Sequence, residues 1–237
     1  MSRVESDAVD LAALTSRVDR LISERSGRRV LIGIVGAPAS GKTTLAHALL
    51  AALVEHEAPW APAFRVELAG DPSRPWIGSH VAHVPMDGYH LADIELRRLG
   101  RDQRKGAPDT FDARGYAALL RRLRECQEDV WAPAFDRDVE QPVSGSIPVP
   151  RSSRVVITEG NYLLIDAPEW RDVRELLDEV WFCEVDTQLR QQRLIARHIR
   201  FGKTPQAAAA WTHGPDQRNA ELIERTRSRA DLVLTCE

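Results

Sequence analysis

Eight residues, Gly36-Ala37-Pro38-Ala39-Ser40-Gly41-Lys42-Thr43, constrain the fold of this chain more than any other stretch. Before them Val30–Val35 carries no polar side chain, and after them Leu45, Ala48, Leu49 and Ala52 recur at helical spacing. Strand, glycine-rich loop and helix in that order make a phosphate-binding P-loop. Successive main-chain N–H groups and the positive end of the following helix then converge on a triphosphate. Lys42 is expected to neutralise β- and γ-phosphate oxygens, and the Thr43 hydroxyl to bind Mg²⁺. Gly36 and Gly41 are expected to supply positive φ and to admit phosphate where a Cβ would clash. The cradle spans Gly36 through Thr43 and reaches Thr44, so the chain is expected to bind a nucleoside triphosphate.

The 237 residues suit one α/β domain, and the formal net charge of −3 gives no footprint for bulk nucleic acid or an acidic membrane. Cys126, Cys183 and Cys236 show neither zinc nor C-x-x-C spacing, which fits a reducing compartment. Residues 1–10 carry three acids and no apolar core, unlike a signal sequence, and no apolar run nears the roughly 20 residues of a membrane span. The expectation is a cytoplasmic enzyme with neither nucleic-acid nor membrane partners.

Val9, Leu11, Leu14, Val18, Leu21 and Ile22 predict an amphipathic helix over 8–24, so residues 1–28 are expected to pack on a domain spanning 29–237. Residues 59–80 hold Pro59, Pro62, Pro72 and Pro75 and read as an irregular insertion with a short extended piece at 64–68. Beyond them the pattern predicts a strand at 81–86, helices at 91–99 and 113–128, and short strands at 131–135 and 147–149 around a Gly-Ser turn. Strands follow at 154–158, 180–185 and 232–234, with helices at 187–200 and 219–229. Apolar strands alternating with helices predict a mainly parallel central sheet covered on both faces, a three-layer α/β sandwich.

Ligands of such sheets sit beyond the carboxyl ends of the strands. Asp87 and Glu159 fall at that edge, where phosphoryl transfer needs one acid on the metal side and another to deprotonate a hydroxyl. Spacing alone leaves their order open; Asp87 is favoured as base and Glu159 as the metal-side acid. Arg190, Arg193, Arg197 and Arg200 share one helix face, and at least one of them is expected to meet an anion. Phe201 to Pro205 reads as a hinge, making about 190–216 a helical lid.

Together these pieces resemble the phosphoribulokinase/uridine kinase family of P-loop kinases, which includes bacterial-type pantothenate kinase, over roughly residues 29–235. Asp87-Gly88-Tyr89-His90 is similar to the family's Asp-Ser/Gly-aromatic motif, and Gly106 to Asp112 to its acceptor-site stretch. Pro133-Ala134-Phe135-Asp136 resembles its Pro-x-Tyr-Asp strand, and Glu159-Gly160 its Glu-Gly. The resemblance implies an ATP- and Mg²⁺-dependent kinase with Lys42, Asp87, Arg193 and Arg197 catalytic. Tyr89, His90, Arg104, Asp112, Asp136 and Arg137 are the candidate acceptor residues. A nucleoside is the preferred acceptor, then a sugar or sugar phosphate, then pantothenate, and family analogy suggests a homodimer. The alternatives are a GTPase-like switch, although no Asn-Lys-x-Asp motif is present, and a kinase-fold regulator without transfer.

Overall fold

The computed structural model describes residues 7–26, 28–55 and 80–236, so the insertion expected at 59–80 lies outside the described residues except for its last position. At the centre is β2 (Val30–Val35), buried at every residue. β6 (Val155–Gly160) and β7 (Glu179–Glu184) flank it; β3 (Val81–His83) lies outside β6, and β8 (Leu232–Thr235) then β1 (Asp7–Ala8) lie outside β7. All of these pairings are parallel.

Alternation along β2 separates two cores. Val30, Ile32 and Ile34 join Leu14, Val18, Leu49 and Leu50 from α1 (Leu11–Glu24) and α2 (Lys42–Glu55). Leu31 and Val35 face Tyr116 and Leu120 of α4 (Ala113–Glu125) and Val173 of α5 (Arg171–Glu175). This is the expected three-layer sandwich. The predicted leading helix forms, with the Asp10 carboxylate accepting from the N–H groups of Ala12 and Ala13 at 2.9 and 3.2 Å. At the opposite end of β2 from the P-loop, the 3 % exposed Arg29 donates to the carbonyls of Leu123, Pro150, Arg151 and Ser153.

Some boundaries differ from expectation. The strand predicted over 81–86 leaves the ladder after His83, because Pro85 has no N–H to continue it, and Met86–Tyr89 coils into a 3₁₀ turn. After this turn come α3 (Asp93–Arg98) and, beyond α4, the hairpin of β4 (Val130–Asp136) and β5 (Gln141–Val149). Its turn is at 137–140, with Glu140 at φ 53°, and not at the Gly-Ser dipeptide. Gly145, at φ 69°, instead occupies the register shift between Ala132↔Ile147 and Ala134↔Val143. α4 stops at Glu125 because Cys126 turns left-handed at φ 54°. α6 (Thr187–Arg200) matches its predicted span. Not foreseen were α7 (Pro205–Trp211) and the π-turn Thr212–Asp216, which lead into α8 (Gln217–Glu224). No helix among the described residues is long and apolar enough to cross a membrane.

Candidate active site

The P-loop starts where β2 ends. Its backbone corrects one expectation: Gly41 takes positive φ (91°), but the second left-handed residue is Ala39 (63°), not Gly36. Gly36 is required by space alone, since a Cβ there would lie 2.4 Å from Ser40 Oγ and 2.9 Å from the Cys183 carbonyl oxygen. The Ser40 N–H closes the turn onto the Ala37 carbonyl at 3.0 Å. Lys42 Nζ donates across the loop to the same carbonyl at 3.4 Å, a weak bond that a phosphate oxygen can displace.

Parallel pairing of Val35 with Gly160 carries Glu159 to the same sheet edge. The Thr43 hydroxyl donates to Glu159 Oε1 at 3.1 Å. Burial pushes this carboxyl, 5 % exposed, up; Lys42 draws it down, Asp87 raises it, and the Thr43 bond lowers it. A hydroxyl and a carboxylate, both hard oxygen donors, fit Mg²⁺, which keeps most of its shell as water and phosphate. No group of three His, Cys, Asp or Glu suited to a metal occurs among the described residues, so such a cation would depend on those non-protein oxygens.

Asp87 projects from the 3₁₀ turn, and Arg137 of the β4–β5 turn approaches its Oδ2 at 3.8 Å. The Tyr116 hydroxyl lies 2.5 Å from Thr158 Oγ1, which donates to the Val84 carbonyl and fixes the chain entering that turn. Arg193 and Arg197 line a cavity of ≈ 950 Å³ with Ala39, Gly41, Lys42 and Thr43. Desolvation lowers Arg197, as does Arg137, while Asp87, Asp216 and Glu159 raise it. The predicted stripe is not uniform: Arg190 is buried against Gln217 at 2.5 Å, Arg193 is half-buried, and Arg197 and Arg200 are exposed, of which Arg193 and Arg197 line the cavity.

The acceptor candidates divide. His90 donates from Nδ1–H to the Asp87 carbonyl (2.8 Å), which fixes that tautomer, and its ring meets Phe111 at 4.0 Å and Phe135 at 4.8 Å. Tyr89 packs on Tyr116 at 5.3 Å, and burial pushes its hydroxyl up to about 12. Arg137 faces Asp87 as described. The other three serve local structure. Asp112 caps α4 through the Gly115 N–H at 2.8 Å, and Asp136 accepts from Asp138 and Val139 in the hairpin turn. Arg104 pairs with Asp109 at 2.8 Å, both ends substantially exposed. Sequence reasoning missed the aromatic wall of Phe111, Tyr162 and Trp170, whose rings meet at 5.5–5.9 Å. Phe111 lies far in the chain from Tyr162 and Trp170, and no periodicity links them.

No family model matches the chain. A protein of Schizosaccharomyces pombe provisionally named uridine kinase C227.14 is 30% identical over 239 residues, covering 98% of this chain and 94% of that one. The ATP-dependent kinase-like protein notR' of Aspergillus versicolor is 38% identical over 152 residues, 60% of this chain and 88% of its own. Among solved structures, one from Silicibacter sp. TM1040, provisionally described as a fructose transport system kinase, superposes with a TM-score of 0.80 at 38% identity, covering 95% of this chain and 99% of that one.

Proposed function

The chain belongs to the uridine kinase family of P-loop kinases, and on that footing we propose that it transfers the γ-phosphoryl group of ATP to a hydroxyl of a small metabolite. The observation that carries this reading is the Thr43–Glu159 hydrogen bond at the end of β2 and β6, with Asp87 in the turn that follows the adjacent parallel strand β3. Asp87 accepts the proton of the attacking hydroxyl, with Arg137 orienting its carboxylate. Lys42, Arg193 and Arg197 stabilise charge on the migrating phosphoryl oxygens. Thr43 and Glu159 would hold Mg²⁺, which neutralises phosphate charge when bound. Residues 190–216 act as a lid that excludes water.

A nucleoside is the first choice of acceptor, ahead of a sugar, a sugar phosphate or pantothenate. Its support is the aromatic cluster next to Asp87, where the His90 ring meets Phe111 and Phe135 at tilted angles and a flat base would find aromatic neighbours. The proposed setting is cytoplasmic, with a small molecule as the partner and a homodimer as the assembly. The test is ADP release with Mg²⁺ across nucleosides, sugars, sugar phosphates and pantothenate, comparing ATP with GTP. One acceptor should stimulate release strongly, and Asp87→Asn should keep ATP binding while losing that stimulation. Binding of either nucleotide with no acceptor-dependent release across the panel would replace this reading with a nucleotide-sensing one.

A further inference from the structure

The turn that carries Arg137 has little packing to hold it in place. Residues 137–140 are all exposed, and the turn is shaped from within by Asp136, whose Oδ1 accepts from the N–H groups of Asp138 and Val139. Lys105, in the stretch between α3 and α4, stands across from it. Its Nζ donates to the Glu140 carbonyl at 2.7 Å and to Asp93 Oδ1 at 2.6 Å, and lies 5.4 Å from the centre of the Phe135 ring. One ammonium thus meets the first turn of α3, the end of β4 and the turn before β5. A second bond runs the same way, from the Asp93 N–H to Gln141 Oε1 at 3.1 Å.

The backbone next to Lys105 is anchored. Gly106, at φ 96°, donates its N–H to Thr110 Oγ1 at 3.0 Å, and its carbonyl accepts from the Tyr162 hydroxyl and from Asn219 Nδ2 at 3.4 Å. Thr110 and Tyr162 are both fully buried, and Tyr162 lies just past the end of β6. Lys105 therefore reaches from a fixed post to a loosely packed turn.

We propose that Lys105 is a positioning residue, which straps the β4–β5 turn over Asp87 so that Arg137 faces its carboxylate. The inference rests on the phosphotransfer reading for what Arg137 does there. The route runs through the backbone. Glu140 is left-handed at φ 53°, and the bond to its carbonyl fixes the end of the turn whose start carries Arg137. Without the ammonium, the 3.8 Å approach of Arg137 to Asp87 Oδ2 is a single, largely exposed ion pair, too weak to order the turn against its conformational entropy. Lys105 is not a receptor for an anionic acceptor, because Asp93 already meets its charge.

The experiment compares the full chain with Lys105→Met, Arg137→Ala and the double variant. Hydrogen–deuterium exchange of the peptide spanning residues 136–142 reads the turn, and acceptor-stimulated ADP release reads transfer. In Lys105→Met that peptide should exchange about tenfold faster, with β2 and β6 unchanged. The kcat/KM for the acceptor should fall about fivefold, with the KM for ATP unmoved. Added to Arg137→Ala, Lys105→Met should cost less than about twofold more, because a residue that acts through Arg137 then has nothing left to act on. A full fivefold loss in that background would mean that Lys105 touches the acceptor itself, and would overturn the proposal. Unchanged exchange at 136–142 would overturn it too. The exchange readout needs neither nucleotide nor acceptor, so a loosened turn in a protein that transfers to no acceptor would remove the kinase reading and leave the strap standing.

Discussion

Gly160 of β6 lies against Met86: a Cβ on Gly160 would sit 2.5 Å from Met86 Cβ and 2.7 Å from its sulfur. Met86 precedes Asp87 and Gly160 follows Glu159, so this contact sets the spacing of the two acids. Gly88 makes the matching approach on the far side, where a Cβ would lie 2.2 Å from the Pro133 carbonyl oxygen. The glycine beside each acid thus lets its segment press against its neighbour. Gly160→Ala should displace the Asp87 turn and cost about 1–3 kcal/mol of stability through overpacking. Its catalytic effect should exceed that: kcat falls by about 100-fold, while ATP affinity stays near the natural value because the P-loop is untouched. Steady-state ADP release beside ATP titration checks the split, and unchanged kcat would contradict the spacing argument.

Arg137 supplies a second test of Asp87. Its guanidinium lies 3.8 Å from the carboxylate and is 46% exposed, so the pair adds little to stability. Its use is orientation. Arg137→Ala should leave the melting temperature within about 2 °C and lower kcat/KM for the acceptor by about tenfold or more. Arg137→Lys should recover only part, because an ammonium cannot match a planar fork. Equal activity of all three proteins would remove Arg137 from the site.

Much of this arrangement was legible in the chain before its structure. The P-loop could be read because three local signals coincide in order, an apolar strand, two glycines with Lys-Thr, and a helical repeat. Asp87 and Glu159 could be placed because each follows an apolar strand, and parallel sheets gather such ends at one edge. The hairpin turn could not, because glycine permits both a turn and a bulge; Gly145 serves the bulge, and Glu140 bends the chain. The burial of Arg190 was hidden for a related reason. Periodicity gives a helix its faces but not which neighbour covers them, and Gln217 before α8 covers this one. Asp112 and Asp136 looked like binding groups because caps and ligands use the same carboxylate chemistry.

His83 predicts a pH response. It is 2 % exposed in β3, its ring edge-on to His47 at 5.2 Å, and neither ring nitrogen has a hydrogen-bond partner among the described residues. Burial, aided by repulsion from His47, lowers its pKa to about 3. The unfolded chain therefore binds this proton below about pH 6.5 while the folded one does not, so stability falls as pH drops from there towards 3. This one group contributes a slope of about 1.4 kcal/mol per pH unit at most. His83→Leu should flatten the acid limb between pH 6 and 4 without moving the neutral-pH profile of activity. Urea midpoints across that range would show it, and parallel acid limbs for the two proteins would exclude His83 as the cause.

Arg29 separates folding from catalysis. Four carbonyls from the turn at 150–153 and the last turn of α4 converge on its guanidinium at 2.7–3.3 Å, which joins the start of β2 to two elements far away in sequence. The helix carbonyl among them, that of Leu123, is one that helix geometry leaves without an N–H partner. Burial lowers the Arg29 pKa, yet guanidinium stays charged at any ordinary pH. Arg29→Ala strands these acceptors in a dry pocket and should cost about 3–5 kcal/mol, lowering the melting temperature by roughly 10 °C. Arg29→Lys should recover little, since three N–H groups on a tetrahedral nitrogen cannot reach carbonyls spread around a planar fork. Because β2 holds this clamp at one end and the P-loop at the other, the fraction of Arg29→Ala that is folded at 15 °C should bind ATP with natural affinity. A loss of affinity in that folded fraction would mean that strain travels the length of β2, and that the P-loop depends on how the strand begins.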